Sequence, residues 1–297
     1  MVVCEDCDNF YRLTGYLFLN MRTWKFTFIL LLLILSLLCI MILESPDSNL
    51  HVIACNVGQG DAILITFKNI QVLTDGGPNN NVLTCLSNNI PFWDREIELV
   101  ISTHPQKDHY FGLIEVFKRY KVDNLLYNEL EASSPDYQAL EKEVGGSGVK
   151  VIRPYTGQVI RVGMIHLDIV NPPQGFTDPN ANNIGIVDVL KFGNFKAIFT
   201  ADVENAVSDK LALLPEVRNV NYLKVNHHGS KNGHSENLLK ALSPQVAVIS
   251  VGRNNTYGHP HKEILEMLKK YNIKTYRTDL DGEVEVITNG KDIWREK

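Results

Sequence analysis

Two hydrophobic patterns divide the chain. Phe26 to Leu43 reads FTFILLLLILSLLCIMIL, an uncharged run about long enough to cross the ~30 Å hydrocarbon core of a bilayer as one helix. From His51 onward, short apolar runs of strand length alternate with helical periodicities. His51 to Asn56 predicts a strand. Ala62–Phe67 and Ile70–Thr74 predict a hairpin through Lys68-Asn69. Asn80–Asn88 reads as a helix, and Ile97–Ile101 as a buried strand running into a tight loop. Leu113–Tyr120 and Pro135–Val144 are helical, the second ended by Gly145-Gly146-Ser147-Gly148. Extended runs lie at Val122–Tyr127 and Val149–Ile152. Val159–Val162 with Ile165–Val170, and Ile184–Phe192 with Lys196–Thr200, form two further hairpins around a Pro- and Asn-rich loop from Asn171 to Asn183. Helices at Val203–Leu214, Asn237–Leu242 and Ile264–Tyr271 then alternate with strands at Val220–Val225, Val246–Val251, Lys274–Tyr276 and Glu283–Ile287. Hairpins feeding βα units in both halves predict two sheets packed face to face with helices outside, a four-layer αββα sandwich.

The flanks of the apolar run set its expected orientation. Arg22 and Lys25 precede it, and Glu44 and Asp47 follow it, which puts the amino end in the cytoplasm and the large domain outside. Arg12 is offset by Glu5, Asp6 and Asp8, and Met21 is an alternative start that would leave a shorter anchor. Glu-Ser-Pro-Asp after Leu43 offers no small-residue cut site, so the expectation is an uncleaved anchor. The organisation expected is a cytoplasmic segment 1–25, a single-pass membrane anchor 26–43, a linker 44–50 and an extracytoplasmic domain 51–297. With 297 residues, 44% hydrophobic and 21% charged, composition is ordinarily globular. The formal net charge of -5 gives no support to nucleic-acid binding by bulk charge alone, leaving a local basic groove as the form such binding would take. Of the five cysteines, Cys4 and Cys7 form a lone C-x-x-C, and Cys39 lies in the apolar run. Cys55 and Cys85 are expected as buried thiols, with no disulfide-stapled scaffold.

Several predicted strands end in groups suited to metal or phosphate chemistry: Asp75, then His104 with Asp108 and His109, then Asp202, the pair His227-His228, and His259. Neutral imidazole and carboxylate are the donors that zinc, manganese and iron take. Singly, each has a plainer reading. Asp75 before two glycines makes a turn, Asp202 caps the next helix, and His259 before Pro260 sits in a surface loop. Jointly, at strand ends of one sandwich, they predict a site for two metal ions about 3.5–4 Å apart.

His104-x-x-x-Asp108-His109 after a strand, Thr200-Ala201-Asp202, and His227-His228-Gly229-Ser230 resemble the metallo-β-lactamase superfamily. Val57-Gly58-Gln59-Gly60-Asp61 and Tyr257-Gly258-His259-Pro260 narrow this to the hydrolase domain of the ComEC competence proteins, bacterial DNA-uptake channels. The likeness covers about Val52 to Ile287 without the multispanning channel region, so the expectation is a stand-alone, membrane-anchored hydrolase. The resemblance implies that His104 binds one ion, that Asp108 and His109 bind the other, and that Asp202 bridges both. One of His227 and His228 completes the set, the other donating to the substrate or bracing a ligand from behind; Asp75 orients ligands, and His259 holds a phosphate. It implies zinc or manganese, and attack on a phosphodiester, DNA or a related one, by a metal-activated hydroxide, with Asp108 assisting. Three departures stand out. Gln106 occupies the place of His or Asp, which weakens the first metal site. Asn56 replaces an Asp. Asn180-Ala181-Asn182-Asn183 stands where many superfamily members carry a third His. The alternatives are a phosphorylcholine-esterase-like hydrolase of cell-surface polymers, which the acidic composition favours, and a non-catalytic accessory protein with a degraded site, which Gln106 favours.

Overall fold

The computed structural model describes residues 5–128 and 134–295, with side chains from residue 23 onward except residue 43. Cys4, half of the C-x-x-C, lies outside the described residues. The chain divides into two compact units, Met1–Ser45 and Pro46–Lys297. The first is one helix, Glu5–Leu43, which begins well before the apolar run that predicts it. Its apolar stretch, Thr23–Ile42, has 20 residues, or about 30 Å of helix.

The second unit has fifteen strands among its described residues. In chain order these are β1 (Leu50–Ala54), β2 (Ile63–Phe67), β3 (Ile70–Thr74), β4 (Glu96–Ser102), β5 (Lys121–Tyr127), β6 (Lys150–Ile152), β7 (Val159–Val162) and β8 (Ile165–Asn171). There follow β9 (Val187–Phe192), β10 (Phe195–Phe199), β11 (Tyr222–Lys224), β12 (Val246–Ile249), β13 (Lys274–Arg277), β14 (Val284–Thr288) and β15 (Ile293–Trp294). They make an eight-stranded sheet, β15-β14-β1-β2-β3-β4-β5-β6, and a seven-stranded sheet, β13-β12-β11-β10-β9-β8-β7. The predicted hairpins are present, β2 with β3 closing at Phe67 and Ile70 and β9 with β10 at Phe192 and Phe195.

Central strands are apolar on both faces because both faces are covered. Leu99 and Ile101 of β4 point between the sheets, against Leu167, Leu190, Phe199 and Tyr222. Val100 points the other way, into a layer with Leu86, Leu113 and Phe117 from outer helices. Leu223 and Ile249 do the same on the far side, with Leu238 and Ile264. This is the predicted four-layer αββα arrangement. One residue breaks the pattern. Asp188 of β9 shares the inward face with Leu190, is fully buried, and neither of its carboxylate oxygens has a hydrogen-bond partner among the described residues.

Helix ends depart from prediction where capping decides them. The helix Pro135–Ser147 runs through Gly145 and Gly146 and stops at Gly148, whose φ of 74° supplies the left-handed cap. Ser134 caps its start by accepting from Tyr137 N. The helix after β10 is shorter than predicted, Asn205–Leu211, because Glu204 is extended.

Cys55 and Cys85 are not free thiols. They form a disulfide, with Cα atoms 5.7 Å apart, that ties the exit of β1 to the helix Asn81–Asn89. Thirty residues separate them in sequence, and only the fold makes them neighbours. Closing a loop of that size stabilises a domain by roughly 3–4 kcal/mol in the chain-entropy account. Replacing both cysteines by Ala is therefore expected to lower the unfolding free energy by about that amount in urea titrations. Alkylation without reductant should leave Cys55 and Cys85 unmodified, and modification of both in the native protein would disprove the bridge.

Candidate metal centre

Parallel strands deliver their carboxyl ends to one edge. β3 and β4 run parallel, as do β10, β11 and β12. Asp75 follows β3, His104, Asp108 and His109 follow β4, and Asp202 follows β10. His227 and His228 follow β11, and Ser250 follows β12. The chain turns sharply at these exits. Asp75, Ala201, His227 and His228 all hold positive φ, at 60°, 46°, 47° and 53°, a strained conformation for residues with a Cβ and one that gathers at functional sites. Two glycines permit the close packing behind the site. Asp61 N donates to Asp108 O at 3.1 Å, and a Cβ on Gly60 would fall 2.2 Å from that carbonyl oxygen. A Cβ on Gly112 would fall 2.0 Å from Gly76 O.

Four atoms converge in the cleft. Asp202 Oδ2 is 3.2 Å from His109 Nε2 and 3.2 Å from His228 Nε2, and His228 Nε2 is 3.4 Å from Asp108 Oδ2. A tetrahedral ion with ligands at about 2.0–2.2 Å requires donor atoms about 3.3–3.6 Å apart, and these three separations lie near that range. Among the described residues, Nε2 of His104, His109 and His228 and Oδ2 of Asp202 have no hydrogen-bond partner although buried. The opposite ring nitrogens are all engaged. His109 Nδ1 lies 2.8 Å from Asp75 Oδ2, and His228 Nδ1 donates to Ser250 O at 2.9 Å. The Thr103 hydroxyl donates to Asp75 Oδ2 at 2.7 Å and so accepts from His104 Nδ1 at 3.0 Å. Each imidazole is thereby fixed with its Nε2 lone pair aimed into the cleft, the outer bracing that metal-binding histidines show.

Charge makes the same point. The carboxylates of Asp61, Asp75 and Asp202 act on the buried ammonium of Lys224, and those of Asp202, Asp75 and Asp108 on His109. Burial opposes charge on His109, but Asp202, Asp75 and Asp108 raise its pKa well above the ordinary value. Burial likewise opposes charge on His228, and Asp202 and Asp61 push it up to about 10. Burial opposes ionisation of Asp108, and His109 and His228 hold it down to about 2. The cluster demands positive charge, which either protons or a divalent cation can supply. A divalent cation therefore fits these residues.

The other predicted residues divide. His104 adjoins the quartet, its ring 4.1 Å from that of His109, and burial with the neighbouring His109 lowers its pKa to about 3, leaving it neutral. His228 is buried in the quartet, whereas His227 is partly exposed with Nε2 3.8 Å from Asp202 Oδ2. The geometry thus distinguishes two histidines that the sequence left equivalent. Gln106 does not face the quartet, because its amide donates to Asn182 Oδ1. Asn183 is held by the loop itself, donating to Asp178 Oδ2 at 3.1 Å and accepting from Glu204 N at 3.2 Å. His259 lies at the rim, its ring 5.7 Å from His227 and 6.4 Å from His228. Burial and those two rings, with His261, lower its pKa to about 4. Two residues carry no role in the sequence reading. Asp61 lies behind the quartet, its oxygens 3.6 Å from His228 Nδ1 and 3.8 Å from His109 Nδ1. Lys224 ends β11 at 1% exposure, and a lone lysine in the apolar run Val220–Val225 was its available signal.

This sandwich is the metallo-β-lactamase fold, and the site lies where strands of both sheets end. Among solved structures the chain is similar to YhfI of Bacillus subtilis, a metallo-β-lactamase fold protein, with a TM-score of 0.56 and 13% identity over 84% of this chain and 100% of that one. No protein-family profile matches the sequence. By sequence it is 28% identical over 193 residues to ComE operon protein 3 of Bacillus subtilis, covering 64% of this chain and 24% of the relative. It is 27% identical over 235 residues to Recombination protein 2 of Haemophilus influenzae, covering 78% of this chain and 28% of the relative. The chain spans about a quarter of the length of these curated relatives. They bear out the resemblance to the ComEC competence proteins.

Proposed function

We propose that the chain is a membrane-anchored, metal-dependent hydrolase of phosphodiesters, with DNA as the substrate class, whose second unit works outside the cytoplasm. The convergence of His109, His228, Asp108 and Asp202, with unpartnered Nε2 atoms at ligand spacing, carries this reading. The names of the relatives, a recombination protein among them, favour nucleic acid over other phosphodiesters. These four residues would hold a zinc or manganese ion. Such an ion supplies Lewis acidity, lowering the pKa of water and polarising a phosphoryl oxygen.

The chain's own residues supply the rest. Asp108 is ionised and partly open to solvent, so its carboxylate can orient the attacking water. His259 is neutral, and its Nδ1 has no hydrogen-bond partner among the described residues. Asn255 clamps its backbone, accepting from His259 N at 3.0 Å and donating to His259 O at 2.7 Å. It is thereby held at the cleft rim, where it can hydrogen-bond a phosphate oxygen. The Cys55–Cys85 disulfide supports an oxidising compartment, in keeping with Arg22 and Lys25 before the apolar helix and Glu44 and Asp47 after it.

The test uses full-length protein in detergent, stripped of metal and reloaded with manganese or zinc. Single-stranded DNA and bis(p-nitrophenyl) phosphate should both be cleaved, with activity lost on chelation and restored by the ion. Retention of metal with turnover of neither substrate would eliminate the phosphodiesterase reading.

A further inference from the structure

Lys224 is a buried cation beside the quartet, and it touches the half of Asp202 that the quartet leaves free. Its Nζ donates to Ala201 O at 2.9 Å, lies 3.4 Å from Asp202 Oδ1, and pairs with Asp61 Oδ2. Asp202 therefore presents Oδ2 to His109 and His228 and Oδ1 to an ammonium. A two-ion centre would ask both oxygens of a bridging carboxylate, or one shared oxygen, to serve two cations, with further donors on the second ion.

Those further donors are committed elsewhere. Gln106 is bound to Asn182, and Asn183 to Asp178 and Glu204. What remains on that side is two imidazoles, His104 beside His109 and His227 with Nε2 3.8 Å from Asp202 Oδ2. Lys224 is buried, with its ammonium enclosed by Ala201 O, Asp202 Oδ1 and Asp61 Oδ2.

We propose that Lys224 makes this a one-ion centre, its ammonium standing in for the second metal at Asp202 Oδ1 and at Asp61. Lys224 is a positioning residue in this account. It turns Asp202 so that one oxygen is a terminal ligand, and it neutralises Asp61, which would otherwise draw a second cation. The inference rests on the metal-binding half of the proposed function and not on the substrate.

Titration of the metal-stripped, full-length protein in detergent with zinc, followed by calorimetry and elemental analysis, decides it. The wild type should bind one ion tightly per chain. Lys224→Met should bind a second ion at least about tenfold more tightly than the wild type does, and Lys224→Arg should restore the one-ion stoichiometry. The double variant Asp61→Asn, Lys224→Met leaves no unpaired buried charge at this pair, so it reports even where the single variant does not fold. It should also take up the second ion, through the released Asp202 Oδ1. Cobalt spectra should show one metal environment in the wild type and a second in both Met variants. Two tight ions in the wild type, or a folded Met variant with unchanged stoichiometry and affinity, would overturn the role of Lys224 while leaving metal-dependent hydrolysis standing. Failure of the wild type to bind any ion would instead overturn the metal-dependent reading, and this inference with it.

Discussion

Asp202→Ala is expected to abolish metal retention and to reduce phosphodiester hydrolysis to background. Losing an outer hydrogen-bond partner of a metal ligand typically costs about 10–100-fold in affinity; loss of Asp202 should exceed that range, because its Oδ2 is common to every close pair but one in the quartet. The effect is electrostatic as well as geometric. Burial opposes the ionisation of Asp202, but His228, His109 and Lys224 hold its pKa well below the ordinary carboxylate value. Asp202→Asn keeps the shape and removes the charge, and it too should lose the ion. Equilibrium dialysis against zinc checks both variants, and unaltered affinity in folded Asp202→Asn would refute the ligand assignment.

The second large effect concerns stability. Burial raises the pKa of Asp188 to about 8, and the charge of Asp75 adds to the shift. The folded-state value is above the unfolded one of 3.8, so the folded chain holds this proton more tightly. The associated stability is fully present below pH 3.8 and is lost as pH rises from there through about 8. At about 1.4 kcal/mol per pKa unit, the loss at pH 7 is on the order of 4 kcal/mol. Asp188→Asn has no proton to lose. It should match the wild type near pH 4 and exceed it by a few kcal/mol above pH 7, as read from urea unfolding at each pH. A difference between the two proteins that does not change with pH would contradict this account.

Fold and site were legible to different depths. Strand runs such as Ile97–Ile101 stand out because both their faces are covered, and the polar residues at their exits are conspicuous against them. His104, Asp108, His109, Asp202 and His228 are all recognisable on that ground. What stayed hidden depends on contacts between distant segments. Cys55 and Cys85 carry no local sign of pairing, and nothing near Asp61 tells that its carboxylate backs two histidines from other loops. Lys224 was masked by its apolar neighbours, which make the run read as a plain strand. Gln106 was conspicuous as a substitution, but its bond to Asn182 requires the loop after β8 to fold back over the cleft. The extra turn through Gly145 and Gly146 shows a cap at Gly148 overriding local propensity.

The ligands are divided between the two sheets, Asp108 and His109 after β4, and Asp202 and His228 after β10 and β11. Neither half of the chain can grip an ion by itself. An ion that binds only the assembled quartet stabilises the native state by mass action, by about 2.7 kcal/mol at a concentration 100 times its dissociation constant. The partners of the disulfide, Cys55 and Cys85, lie 30 residues apart, while the metal ligands run from Asp108 to His228, whose brace is Ser250. The covalent tie can therefore form within one short segment, and the coordinate tie waits for segments far apart in sequence. Metal uptake thus requires both sheets to be in place, whereas the disulfide needs only the first.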